Sequence, residues 1–225
     1  MPATQLITRV SRRIQRHLQQ KRIKDYLANN AVRKLQLGSG VNPLPSWLNT
    51  DIEMSGDIVF LDIRQPFPLE SASFDFVFSE HLIEHVSYQH GVHCLRECFR
   101  VLRPGGKIRI ATPNLSFLMA LYREETTDCE RRYIDWSVEM FGGALQAPPA
   151  TYVINNFFRN WGHQFIYDFE ALRGAMAQSG FVDVRRMKVH ESDEPVFCKL
   201  EAHGRVIPPE FNELETMVAE ARKSP

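Results

Sequence analysis

Cysteine is scarce in this chain. Its four residues, Cys94, Cys98, Cys129 and Cys198, form no CxxC pair and show no disulfide-like spacing. That sets aside a thiolate zinc site and a stapled secreted fold, and favours a reduced, cytoplasmic setting. Excess charge is also missing: 27 Lys and Arg face 27 Asp and Glu, so no global field draws the chain to nucleic acid. No apolar run approaches the ~20 residues of a membrane span. A signal-peptide core is not visible either, because Arg and Gln interrupt every early apolar stretch. There are no repeats and no low-complexity tracts, and nothing fixes an oligomeric state.

What is present fits one domain with a modest insertion: 225 residues, 44% hydrophobic and 24% charged. Charge is unevenly placed. Between Arg9 and Lys34 nine basic residues face one acid, Asp25, with Ile7, Val10, Ile14 and Leu18 at helical spacing. Residues 1–32 are therefore expected to form a basic amphipathic helix, either packing one stripe on the domain or resting peripherally on an anionic inner-membrane surface.

From there short apolar runs recur at Lys34–Leu37, Trp47–Ile52, Ile58–Leu61, Phe74–Phe78 and Lys107–Ala111, with a helical stretch at Tyr88–Leu102. The alternation predicts an α/β domain over residues 33–205 with a mostly parallel sheet. Residues 115–165, rich in aromatics, read as a cap over the strand ends. Asp168 caps a helix that Ser179-Gly180 ends. Phe181–Val189 and Val196–Ala202 read as an antiparallel edge hairpin, and 206–225 as an acidic tail.

Five segments carry chemistry. Leu35-Gln36-Leu37-Gly38-Ser39-Gly40-Val41-Asn42 runs a buried strand into a Gly-x-Gly turn, which brings bare backbone close to a nucleotide-like ligand. The third glycine of a dinucleotide fingerprint is absent, because position 43 is Pro43, so a nicotinamide cofactor is disfavoured. Trp47-Leu48-Asn49-Thr50-Asp51 ends a strand in a carboxylate able to accept both hydroxyls of a ribose. Asp62 follows the next apolar run. The fourth segment is Ser73–His85, containing Ser79-Glu80-His81, and the fifth is Leu102-Arg103-Pro104-Gly105-Gly106-Lys107.

This ordered set resembles class I S-adenosylmethionine (SAM)-dependent methyltransferases, in particular small bacterial type 11-like proteins with an LGSG…WxNxD opening. The resemblance covers 33–114 closely and 161–202 loosely. It implies a Rossmann-like, seven-stranded methyltransferase fold with SAM as cofactor. Gln36, Gly38 and Gly40 would pass its methionine part, Asp51 would hold the ribose, Asp62 and Ile63 the adenine, and Ser79 and Glu80 would border the methyl group. Gln36 and Asn42 stand where the family usually has an acid and a third glycine. The gap to Asp51, interrupted by Pro43 and Pro45, predicts that the usual helix after the turn is truncated or missing. The acceptor implied is a small molecule or glycan, a hydroxyl of a polysaccharide or glycolipid precursor. The competing reading is a degenerate domain that serves assembly.

Removing a hydroxyl proton needs a base. His163, just after the aromatic segment, is the first choice and His81 the second. His81, Glu84 and His85 also spell H-x-x-E-H, the inverted zinc-protease signature. The motif follows an apolar strand here, and no metal is expected.

Overall fold

The structure, a computed structural model, describes residues 17–53, 55–142 and 149–225. Ile7, Val10 and Ile14 of the expected N-terminal helix lie outside these. Residues 17–29 are helical (α1), with Ile23 buried and Tyr26 and Leu27 packed beside it, while Leu18 is exposed. The Tyr26 hydroxyl donates to the Lys34 carbonyl (2.9 Å) and accepts from the Lys34 amide (2.9 Å), so α1 is tied to the first strand.

Seven strands form one sheet: β1 (Lys34–Leu37), β2 (Leu48–Asp51), β3 (Val59–Phe60), β4 (Phe74–Glu80), β5 (Leu102–Pro113), β6 (Val182–Met187) and β7 (Thr216–Arg222). Their order is β3-β2-β1-β4-β5-β7-β6. The first five pair in parallel, and β7 runs antiparallel to both β5 and β6. The chain leaves β1 for β2 on one side and returns to β4 on the other. That switch opens a crevice at the carboxyl ends of β1 and β4, where α/β folds hold ligands.

β7 corrects the sequence reading. The strand paired with β6 was expected at Val196–Ala202, and residues 206–225 as a tail outside the domain. Instead the tail supplies a short helix, α7 (Pro209–Glu215), and then the strand inserted between β5 and β6. The predicted strand is a loop with a 3-10 turn at Pro195–Phe197 and a left-handed Lys199 (φ +60°). The tail's acidic composition hid the strand. Thr216–Ala219 is buried without alternation, the mark of a strand covered on both faces.

α2 (Tyr88–Val101), capped by Ser87, and α6 (Phe169–Gln178), capped by Asp168 through the Ala171 amide (2.7 Å), pack one face of the sheet. Cys94 and Cys98 are buried in α2 as small apolar side chains. Loops cover much of the other face. There Phe197 meets Trp47 and Phe78, and the fully buried Arg109 bonds Glu201, Glu220 and the carbonyls of Lys188 and Glu191. α3 (Leu115–Ala120), α4 (Asp128–Phe141) and α5 (Ala150–Arg159) build the aromatic segment. With α7 they bury a separate core of Phe117, Tyr133, Val153, Phe157 and Phe211.

Candidate functional site

The crevice has two ends. At the first, β1 runs into Gly38 (φ +63°) and Gly40 (φ +48°). A Cβ on Gly38 would come within 2.8 Å of the Leu82 side chain, whereas at Gly40 it would meet nothing within 4 Å. The turn is closed beneath Gly38 and open above Gly40. No helix follows over residues 38–47. Two amide side chains hold that segment instead. Gln36 Oε1 and Asn49 Oδ1 both accept from the Leu44 amide (2.9 Å each), Gln36 Nε2 donates to the Asn42 carbonyl (3.1 Å), and Asn49 Nδ2 donates to the Leu44 carbonyl (3.0 Å). Gln36, expected to face a ligand ammonium, thus has both ends of its amide in the loop.

Asp51 lies at the end of β2, half-buried. Its oxygens accept from the Gly40 amide (2.9 Å) and the Glu53 amide (2.9 Å). A carboxylate offers about four acceptor positions, so capacity remains for a ligand. Gly40, Asn49, Asp51 and Ile58 line a hollow of about 820 Å³ there. Next to Gly40, Ser39 carries a buried hydroxyl with no hydrogen-bond partner among the described residues. An open glycine turn, an orphan hydroxyl and a carboxylate with spare lone pairs fit a nucleoside cofactor.

Asp62 is bound through both oxygens by Arg64 (2.8 Å each), whose guanidinium holds its carboxyl below the usual range. An adenine amine must share that carboxylate with Arg64. Ile63 beside it is buried. At the end of β4 Ser79 is buried, but Glu80 turns away from the expected cofactor side. Its carboxylate accepts from the Ala202 amide (2.9 Å) and the His203 amide (3.0 Å), so it braces the loop before α7.

The second end is a cavity of about 520 Å³ between β4 and the cap, lined by Trp136, Phe141, Phe157, Trp161, four histidines and two glutamates. His81, in a left-handed conformation (φ +45°), aims into it. Thr216 donates its hydroxyl to Asn212 Oδ1 (2.8 Å), so the contact from His81 Nε2 to Thr216 Oγ1 (3.2 Å) is an N–H donation. The other nitrogen, Nδ1, faces Glu84 Oε1 at 3.3 Å. Burial alone would lower His81 and raise Glu84, but their mutual pairing outweighs it and shifts each the opposite way, toward an ion pair. With Nε2 on Thr216 and Nδ1 turned to Glu84, neither His81 nitrogen offers the cavity the lone pair that the proton-acceptor role expected of it requires.

His163 differs. Its Nδ1 donates to the Phe157 carbonyl (2.8 Å), which fixes the tautomer and leaves the lone pair on Nε2. Burial pushes its pKa below the usual histidine value, so the ring stays neutral. Gly162 (φ +76°) and Trp161 (φ +56°) turn the chain to place it, and its ring lies 4.9 Å from that of His85. Sequence reading missed His203 and Glu215. His203 stacks on His81 at 4.1 Å, and its Nε2 bonds Glu215 Oε1 (3.0 Å), whose other oxygen accepts the Tyr133 hydroxyl (2.5 Å). No local motif marks them, because the loop and α7 meet the cavity only once β7 is in the sheet.

Comparison with known proteins agrees with this architecture. Residues 35–110 match the methyltransferase domain family. A probable S-adenosylmethionine-dependent methyltransferase of Mycolicibacterium smegmatis is 49% identical over 58 residues, 24% of this chain and 22% of that protein. A SAM-dependent methyltransferase from Archaeoglobus fulgidus shares the fold at TM-score 0.52 and 17% identity, over 93% of this chain and 94% of that one. One from Mesorhizobium loti does so at TM-score 0.53 and 17% identity, over 86% and 92%. Motif order, strand order and the match over residues 35–110 agree: that stretch is similar to the methyltransferase domain family, within a chain that shares the fold of these SAM-dependent methyltransferases and spans under a quarter of the curated relative's length.

Proposed function

We propose that this protein transfers a methyl group from S-adenosylmethionine to an oxygen of a small polar acceptor, a hydroxyl of a sugar or of a glycolipid or polysaccharide precursor. The observation that carries the reading is the juxtaposition of two hollows across the sheet switch point. One is floored by Gly40 and Asp51, the other walled by aromatic rings with a neutral histidine at its base. Ser39, Gly38, Gly40 and Asp51 would hold the cofactor, with Asp62 and Ile63 beside its base and Ser79 at the strand end. When bound it supplies an electrophilic methyl on a sulfonium.

The chain's own residues do the rest. Trp136, Phe141 and Trp161 offer flat apolar faces on which a pyranose ring can stack, and no Lys or Arg lines the cavity among the described residues, which favours an uncharged acceptor over a phosphorylated one. His163 Nε2 takes the hydroxyl proton as the new bond forms, a role worth about 10²–10⁴ in rate. His81 and Glu84 contribute a fixed charge pair and position the neighbouring rings.

No helix among the described residues is long and apolar enough to cross a membrane. The exposed Lys21, Arg22 and Lys24 on α1 support peripheral contact with an anionic inner-membrane surface, where a lipid-linked acceptor would be met from the cytoplasmic side. Incubating the chain with methyl-labelled SAM and a panel of neutral glycans, nucleotide sugars and lipid-linked sugars tests the assignment. Label should enter the neutral or lipid-linked glycans. Cofactor binding without transfer to any of them would instead favour the assembly-domain reading.

A further inference from the structure

The two His–Glu groups in the acceptor cavity differ in one respect. In the first, His81, His203 and Glu215, the facing atoms already have protein partners: His81 on Thr216 and Glu84, His203 on Glu215, and Glu215 on His203 and Tyr133. That group is a closed network and needs nothing added. The second consists of Glu84, His85 and His163, and there lone pairs are left over. Glu84 is 0% exposed; its Oε2 accepts the Thr112 hydroxyl (3.0 Å), while Oε1 makes no hydrogen bond among the described residues and only faces His81 Nδ1 at 3.3 Å. His163 has its Nδ1–H on a carbonyl and its Nε2 lone pair unused. The His85 ring makes no hydrogen bond among the described residues. One ring nitrogen of each histidine and a Glu84 oxygen lie within 4.8 Å of one another.

A fully buried carboxylate with one hydrogen bond and one imidazole at 3.3 Å, beside two imidazoles with unbonded lone pairs, is a donor set that a cation would complete. From this geometry we infer that Glu84, His85 and His163 form a divalent transition-metal site of the zinc type at the base of the acceptor cavity. Two histidines and one carboxylate leave coordination positions open, as catalytic rather than structural zinc sites do. A carbonyl holding the far nitrogen of a ligating histidine is the usual outer support, and Phe157 supplies it to His163. The backbone is set in advance: the Gln164 and Phe165 amides both donate to the Glu84 carbonyl (2.7 and 3.2 Å), and Gln164 Nε2 donates to the His85 carbonyl (2.9 Å). These bonds tie the turn after β4 to the segment before α6.

This inference rests on the acceptor-site reading, gives His163 Nε2 a ligand role in place of the proton-acceptor role proposed above, and does not need methyl transfer to be tested. A cation and a proton cannot share His163 Nε2, so one measurement separates ligand from base. The full chain, stripped with chelator, is titrated calorimetrically with zinc chloride in the absence of cofactor and acceptor. One zinc ion per chain is expected, with affinity at least about tenfold weaker in Glu84→Gln and in His163→Ala, each a lost ligand, and within about twofold of the parent in His203→Ala, which touches only the closed network. Because Glu84 is fully buried and its substitution also touches the fold, cobalt is a second probe. The parent should show visible ligand-field absorption, and His163→Ala, checked by circular dichroism, should change its position or intensity. Absence of stoichiometric zinc binding, or binding indifferent to both variants, overturns the metal site and leaves His163 as a base. Failure of the acceptor panel with zinc binding intact would overturn the transfer reading alone.

Discussion

The two ends of the crevice use polar side chains in opposite ways. Around Gly38–Leu44, Gln36, Asn49 and Asp51 bond to backbone: their partners are the amides of Gly40, Leu44 and Glu53 and the carbonyls of Asn42 and Leu44. They replace the helix that such turns usually run into, and a pinned loop presents a shape to a ligand. Across β4 the polar groups bond mainly to one another, as in Tyr133–Glu215–His203 and His81–Glu84–Thr112. A linked side-chain network can hold charge, protons or an ion, which a pinned backbone cannot. On the function proposed above, the first end binds and the second reacts.

Four substitutions test that division, in order of expected size. Asp51→Ala removes ribose contacts and the bond that closes Gly40. Two charge-assisted hydrogen bonds to a ligand correspond to roughly 100-fold weaker binding of S-adenosylhomocysteine by calorimetry. An affinity within a few-fold of the parent would place the nucleoside elsewhere. His163→Ala should leave that affinity unchanged while kcat falls by about 10²-fold, as a base or ligand at the reacting end requires. If it weakens cofactor binding as much as turnover, the two ends are not separate. Trp161→Ala, cutting into the aromatic wall, should raise acceptor KM by about tenfold with little change in cofactor affinity, since such contacts are worth about 0.5–1.5 kcal/mol beyond area. Gln36→Ala is the mildest. It loosens the loop, costing about 1 kcal/mol in thermal unfolding and only a few-fold in cofactor affinity; a loss as large as that of Asp51→Ala would mean that Gln36 meets the ligand directly.

Much of the binding end was legible in the residues. The strand–turn signal at Leu35–Gly40, Asp51 at the end of β2 and the missing helix after the turn are all local, each fixed by a few neighbouring residues. Asp168 and Ser87 as helix caps are legible for the same reason. The reacting end was read only in part. His163 stood out by its place after the aromatic segment, but the tautomer that keeps its Nε2 free depends on the Phe157 carbonyl. His81 looked equally able from its motif. Its Nε2 is instead engaged by Thr216, 135 residues away along the chain. Glu80 looked like a cofactor contact at a strand end and is instead a brace on Ala202 and His203, because strand side chains alternate and its face meets the loop before α7.

By itself the sequence determined the fold class, the glycine turn and the residue types gathered at the mouth of the sheet, since strand and turn preferences act over a few bonds. Tertiary structure decided which segment became β7, which histidine kept a lone pair and which carboxylate met which imidazole. Those outcomes depend on groups that come within 3 Å or so of one another only after the chain has crossed the sheet, and no periodicity or short motif records a distance of that kind.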